Sequence, residues 1–204
     1  MVNIQRLLLT CICTPGFNDR MGIPLNLVSP PGAAKTSKVQ AVVNALVKAG
    51  ALTPGEGVKP LTTILTALMD PTDAQGLPVP TQDGEHISTR YAAPAWARAL
   101  AKPPAGVQTG DFSDPGDSVV FLDEISNAPG AVQAAFLRVV FEGVVGEIEL
   151  DPRVRFVLAM NPPEQSPAGN PLAPPFANRL CHVTVDDPDV NAWGAWALEQ
   201  AGIG

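Results

Sequence analysis

Three short apolar runs, each stopping abruptly at polar residues, constrain this chain more than anything else in it. Ile23 to Val28 runs into Ser29-Pro30-Pro31-Gly32, Val119 to Leu122 into Asp123-Glu124, and Val154 to Met160 into Asn161-Pro162. Such short, predominantly apolar runs suit strands of a parallel sheet covered on both faces. Helical patterns lie between them. Val39, Val42, Val43, Leu46 and Val47 fall at i, i+3, i+4, i+7 and i+8, with Lys48 in the last turn and Gly50 as the stop. A second helix is predicted from about Pro129 to Glu142, with Val132, Phe136, Val139 and Val140 on its buried face, Asn127 or Ser126 as the cap and Gly143 as its end. Strands alternating with helices predict a three-layer α/β/α fold around a mostly parallel, five-stranded sheet. In such sheets ligands bind at the carboxyl ends of the strands, where the polar residues above are placed.

The remaining elements are less sharply written. Residues 5 to 13 predict a short helix broken at Pro15-Gly16, and Thr62 to Leu68 fits either a strand or a short helix. Val144 to Leu150 and Cys181 to Val185 are further strand candidates. Residues 70 to 117 are rich in Pro, Gly and Asp and are expected to form exposed loops, with one short helix near Ala95 to Leu100.

With 46% hydrophobic and 16% charged residues, the 204-residue chain has ample apolar material for one sizeable core. Its formal net charge of −7 weighs against a basic nucleic-acid face as the main binding surface, so a nucleic-acid partner is not expected. Cys11, Cys13 and Cys181 are an odd number without metal-ligand spacing and are expected as buried, reduced thiols of a cytoplasmic protein. His86 and His182 also lack ligand spacing. The apolar run Leu7 to Ile12 is far short of the about 20 residues that span a membrane, so no membrane association is expected.

Ser29-Pro30-Pro31-Gly32-Ala33-Ala34-Lys35-Thr36, followed by Ser37, lies between a predicted strand and a predicted helix. A triphosphate needs inward-pointing backbone N–H groups, and a helix N-terminus supplies them with a favourable dipole. It also needs a cation at the β- and γ-phosphates, which Lys35 can provide, and a hydroxyl ligand for Mg²⁺, which Thr36 can provide. Against the pattern G-x-x-x-x-G-K-[ST], both outer glycines are replaced, by Ser29 and Ala34. A methyl at Ala34 crowds a loop whose backbone must approach phosphate. Alone, the octapeptide reads equally as a Pro-Gly turn before a helix. The strand ending in Asp123-Glu124 tips the balance: Asp123 can hold Mg²⁺ through water, and Glu124 can polarise an attacking water. Asn161 is placed to reach a γ-phosphate or the lytic water. Arg179, in Pro174-Pro175-Phe176-Ala177-Asn178-Arg179, is a candidate cation for transition-state charge on a neighbouring subunit's nucleotide.

Together these residues resemble the AAA+ ATPases, and among them the MoxR-like branch. The Walker A motif corresponds to Ser29–Thr36, the Walker B motif to Val119–Glu124, the sensor 1 position to Asn161 and the arginine finger to Arg179. Residues 128 to 140 look like the family's helix after Walker B, and residues 143 to 156 like its hairpin before sensor 1. The resemblance covers residues 20 to 187 and implies a P-loop NTPase fold, the AAA+ large subdomain, over residues 1 to 187. It implies ATP and Mg²⁺ as ligands, ATP hydrolysis, a homo-oligomeric ring of six subunits, and work on protein partners, among them von Willebrand A-domain proteins. Family members usually continue into a helical lid carrying a sensor 2 arginine. Residues 188 to 204, with Trp193 and Trp196, are expected as a short tail or the start of such a lid. A non-hydrolysing nucleotide-binding scaffold is the alternative that the altered loop raises, and a DNA-remodelling motor is a third reading that the acidic balance weakens.

Overall fold

A computed structural model describes residues 4–84, 86–103, 114–165 and 170–185; the expected tail with Trp193 and Trp196 lies outside them. In chain order the elements are α1 (Ile4–Cys13), β1 (Leu25–Val28), α2 (Lys35–Lys48), β2 (Leu61–Leu65), α3 (Pro71–Gln75), β3 (Leu77–Asp83), β4 (His86–Ala92), α4 (Ala95–Arg98), β5 (Ser118–Asp123), α5 (Gly130–Glu142), β6 (Val144–Val145), β7 (Ile148–Glu149), β8 (Val154–Met160), α6 (Pro174–Ala177) and β9 (Cys181–Thr184).

Five strands form one sheet in the order β2-β5-β8-β1-β9, and every pairing in it is parallel. The runs are predominantly apolar because the sheet is covered twice. Along β5, Val119 and Phe121 pack with α1 and α2, while Val120 and Leu122 pack with α5. β8 divides in the same way, Val157 and Ala159 to one side and Phe156 and Leu158 to the other. Successive side chains on a strand point to opposite faces, so each run supplies two cores at once. The result is the expected three-layer α/β/α sandwich.

The amino ends of the strands are closed by charged groups, of which Arg155 is buried and Asp117 and Arg20 are half-buried. Arg155, on β8, donates to Asp117 at 2.7 Å and to the Ile12 carbonyl at 2.8 Å, tying α1 to the sheet. Burial alone would raise the Asp117 carboxyl, but hydrogen bonds from Thr53 and Arg155 outweigh it and hold the group below its ordinary range. Arg20 donates to the carbonyls of Leu150 and Asp151 at 3.2 Å. The carboxyl ends of β1, β5 and β8 carry no such closure and are open for a ligand.

Several expectations need correction. Thr62 to Leu68 is strand only to Leu65 and turns into a 3₁₀ turn over Thr66–Leu68. Val144 to Leu150 is not one strand: β6 and β7 form a tight antiparallel hairpin around Gly146, whose φ of 58° suits glycine, and neither joins the main sheet. Neither Ser126 nor Asn127 caps α5, because both belong to a 3₁₀ turn over Ile125–Asn127, and Pro129 stands at the cap without a side-chain bond. Where loops were expected, the described residues from Pro71 to Ala92 form α3 and the seven-residue hairpin strands β3 and β4. Of the thiols, Cys11 is buried and pushed up to about 11 by burial and by neighbouring Cys181, but Cys181 is only half-buried and Cys13 is exposed. Among the described residues no helix is long and apolar enough to cross a membrane.

Candidate functional site

β1 delivers the chain into the loop at Ser29, whose N–H donates to the Met160 carbonyl of β8 at 3.2 Å. Two residues in this loop have left-handed backbone: Gly32 at φ 84° and Ala34 at φ 56°. Ala34 is the N-terminal flank of α2 and makes no side-chain cap, and α2 has no acidic residue in its first turn. The helix therefore presents uncapped N–H groups and the positive end of its dipole to the cleft. The conformation also explains why the phosphate-loop pattern has glycine before the lysine, since a left-handed residue there is costly for any side chain with a Cβ. Ala34 costs about 1–2 kcal/mol in that region, offset by about 0.5–1 kcal/mol of unfolded-chain freedom that glycine would add. Ala34→Gly should therefore raise the thermal midpoint by roughly 1–3 °C. A calorimetric scan checks this, and a lowered midpoint would count against a left-handed residue here.

Lys35 opens α2 and turns its ammonium back under the loop. Nζ donates to the Ser29 carbonyl at 3.0 Å, to the Pro30 carbonyl at 3.3 Å and to Asn161 Oδ1 at 2.8 Å. Half-burial lowers its pKa, and the carboxylates of Asp123 and Glu124 act in the opposite direction without cancelling the effect. One turn of chemistry further, Thr36 Oγ1 donates to Asp123 Oδ2 at 3.0 Å. A hydroxyl and a carboxylate held together at the mouth of the cleft are oxygen donors of the kind that would hold a hard divalent cation such as Mg²⁺, Thr36 directly and Asp123 through water.

Asp123 is fixed from three directions. Its Oδ1 accepts from the Glu124 N–H at 3.0 Å, its Oδ2 from Thr36, and its backbone carbonyl from Thr66 Oγ1 at 2.7 Å. Glu124 is the second non-glycine residue of the site in left-handed backbone, at φ 56° and ψ 37°. Strain of this kind is tolerated where the surroundings dictate it, often at functional positions. Its carboxylate accepts from Asn127 Nδ2 at 3.4 Å, a weak contact that leaves the group able to turn into the cleft.

An open cleft of about 320 Å³ brings most of the sequence-derived residues together. Pro31, Gly32, Ala33, Ala34, Lys35, Thr36, Ser37, Asp123, Glu124 and Asn161 line it, with Met160 beside them. Ser29 and Pro30 lie beneath and contribute the carbonyls that hold Lys35. Arg179 is not part of the cleft. It follows α6, is exposed, and lies with its guanidinium carbon 5.6 Å from the centre of the Phe141 ring. Cys181 pairs with Leu25 and Thr184 with Val28, so Arg179 precedes the amino ends of the strands while the loop follows their carboxyl ends. The two are separated by at least the length of β1, about 10 Å over its three residue steps of about 3.3 Å.

The sheet order, the loop between β1 and α2, and the lysine, hydroxyl and acidic pair around one cleft define a P-loop α/β/α fold. A protein from Cytophaga hutchinsonii described as a "putative ATPase" has a similar structure, with a TM-score of 0.53 at 21% identity over 98% of this chain and 49% of that one. The chain thus spans about half the length of that protein, and at this identity the likeness is one of fold. No protein-family model and no curated protein matches the chain.

Proposed function

We propose that this protein binds ATP with Mg²⁺ and hydrolyses it, as an AAA+ module of MoxR-like type acting in a homo-oligomeric ring. The observation that carries the reading is the meeting of three strand ends in one cleft: Lys35 bonded to Asn161, and Thr36 bonded to Asp123. Lys35 contacts the β- and γ-phosphates, and the N–H groups of Pro-flanked residues 32 to 36 cradle them. Thr36 and Asp123 hold the metal, which supplies charge neutralisation at the phosphates when bound. Glu124 polarises the attacking water and Asn161 orients it against the γ-phosphate. Arg179 stands too far from its own cleft to serve there, which favours action on a neighbouring subunit's nucleotide and hence an assembly, a hexameric ring by resemblance. Remodelling of protein partners, with von Willebrand A-domain proteins as one class, and a cytoplasmic location belong to the same reading.

A non-hydrolysing scaffold is the second reading, favoured by the strained Ala34 and by the contact of Glu124 with Asn127. Glu124→Gln separates the two. Nucleotide affinity should be kept and turnover should fall about 10²–10⁴-fold, the contribution of a positioned general base. Steady-state phosphate release under assembly conditions measures it, and a wild type no faster than the variant would establish the scaffold.

A further inference from the structure

Asn26 on β1 and His182 on β9 stand opposite each other in parallel register. Leu25 and Leu27 face α1 and α2, so Asn26 between them faces the layer of α5 and α6. Across the sheet at this level the row reads Leu122, Leu158, Asn26, His182, two core leucines followed by two polar side chains. Asn26 is fully buried, and its Oδ1 has no hydrogen-bond partner among the described residues. A buried amide left half-satisfied is unfavourable, and a leucine would continue the row without that penalty. What the amide does make is one bond, from Nδ2 to His182 Nδ1 at 3.1 Å.

The other ring nitrogen of His182 identifies the purpose of that bond. Nε2 is 2.8 Å from the Ala177 carbonyl. A carbonyl only accepts, so Nε2 carries the proton and donates, and Nδ1 of the neutral ring accepts from Asn26. The same Ala177 carbonyl accepts from the Leu180 N–H at 3.2 Å, closing a four-residue turn whose two middle residues are Asn178 and Arg179. The ring therefore links the turn carrying Arg179 to β1, the strand that runs into the phosphate loop.

We propose that Asn26 and His182 are positioning residues for Arg179: Asn26 fixes the ring orientation of His182, and His182 anchors the turn from which Arg179 reaches a neighbouring subunit. This rests on the reading of Arg179 as a cation acting between subunits. The test measures kcat, KM for ATP and the thermal midpoint of Asn26→Leu and His182→Ala. In both, kcat should fall at least tenfold while KM stays within twofold. Asn26→Leu should keep or raise the thermal midpoint, which a merely structural amide would not permit. Adding Lys35→Ala subunits, which contribute an intact Arg179 turn but bind no nucleotide, should restore turnover at the variants' own sites. Normal kcat in either variant overturns the proposal, as does a lowered kcat that assembled Lys35→Ala subunits fail to restore. Should Asn26→Leu not fold, His182→Ala, at an exposed position, decides alone. Arg179→Ala measured alongside keeps the two readings apart. Full turnover there removes the inter-subunit cation itself, whereas slow Arg179→Ala beside normal Asn26 and His182 variants removes only the positioning role.

Discussion

Lys35→Ala should abolish measurable ATP binding while leaving the fold intact. The ammonium is half-buried beneath the loop and already makes three hydrogen bonds, to two loop carbonyls and to Asn161. A triphosphate entering the cleft would meet that charge, and alanine removes it together with one of the contacts joining the loop to the end of β8. Hydrogen bonds to charged groups contribute about 1.5–3 kcal/mol each. The loss of two phosphate contacts therefore weakens affinity by roughly 10²–10⁴-fold. The surrounding core does not depend on the side chain: Ala33 and Val39 are buried without it, and α2 keeps its apolar face of Val39, Val42, Val43 and Leu46. Titration with a fluorescent ATP analogue, beside a thermal melt to verify folding, measures the effect. Unchanged affinity in a folded variant would place the nucleotide elsewhere.

What the sequence made legible follows from how each element is held. β1, β5 and β8 are buried on both faces, so their runs are apolar except for Asn26 and Arg155, and their ends are marked by the residues that face the cleft. α2 and α5 each bury one stripe, and the helical period records it. The β3–β4 hairpin buries almost nothing: β4 is exposed along its whole length and β3 carries Pro78 and Pro80. Proline argues against a strand and no apolar alternation argues for one, so nothing in composition announces this pair. At the site, the residue types of the cleft were readable, but the backbone was not. That Ala34 and Glu124 both sit in the left-handed region is a property of the turns, which residue identity only hints at through the missing glycine. The pairing of Asn26 with His182 is illegible for a different reason: the row they share exists only once β1 and β9 are paired. An asparagine in a strand buried on both faces is the signal that would have found them.

Arg179→Ala should leave ATP affinity unchanged and reduce turnover by about 10³-fold or more, the range found for arginines that stabilise phosphoryl-transfer charge from outside the nucleotide site. Affinity should survive because Arg179 does not line its own cleft and stands beyond the opposite ends of the strands. Its surroundings suit a group held ready for another molecule. The guanidinium lies over Phe141, whose ring packs edge-on against Phe176 at 5.8 Å, so the side chain has a fixed apolar platform at an exposed surface. A cation over an aromatic face is worth about 0.5–1 kcal/mol when exposed, far less than the charge–charge attraction of a phosphate, so the platform orients Arg179 without holding it back. Action between subunits then has two consequences. Specific turnover of the wild type should rise with protein concentration as assembly proceeds. Mixtures of Arg179→Ala with Lys35→Ala should hydrolyse ATP although neither does so alone, because the first supplies the bound nucleotide and the second the arginine. Turnover independent of concentration, together with silent mixtures in assemblies verified by sizing, would place Arg179 outside the reaction and leave the ring without its mechanistic reason.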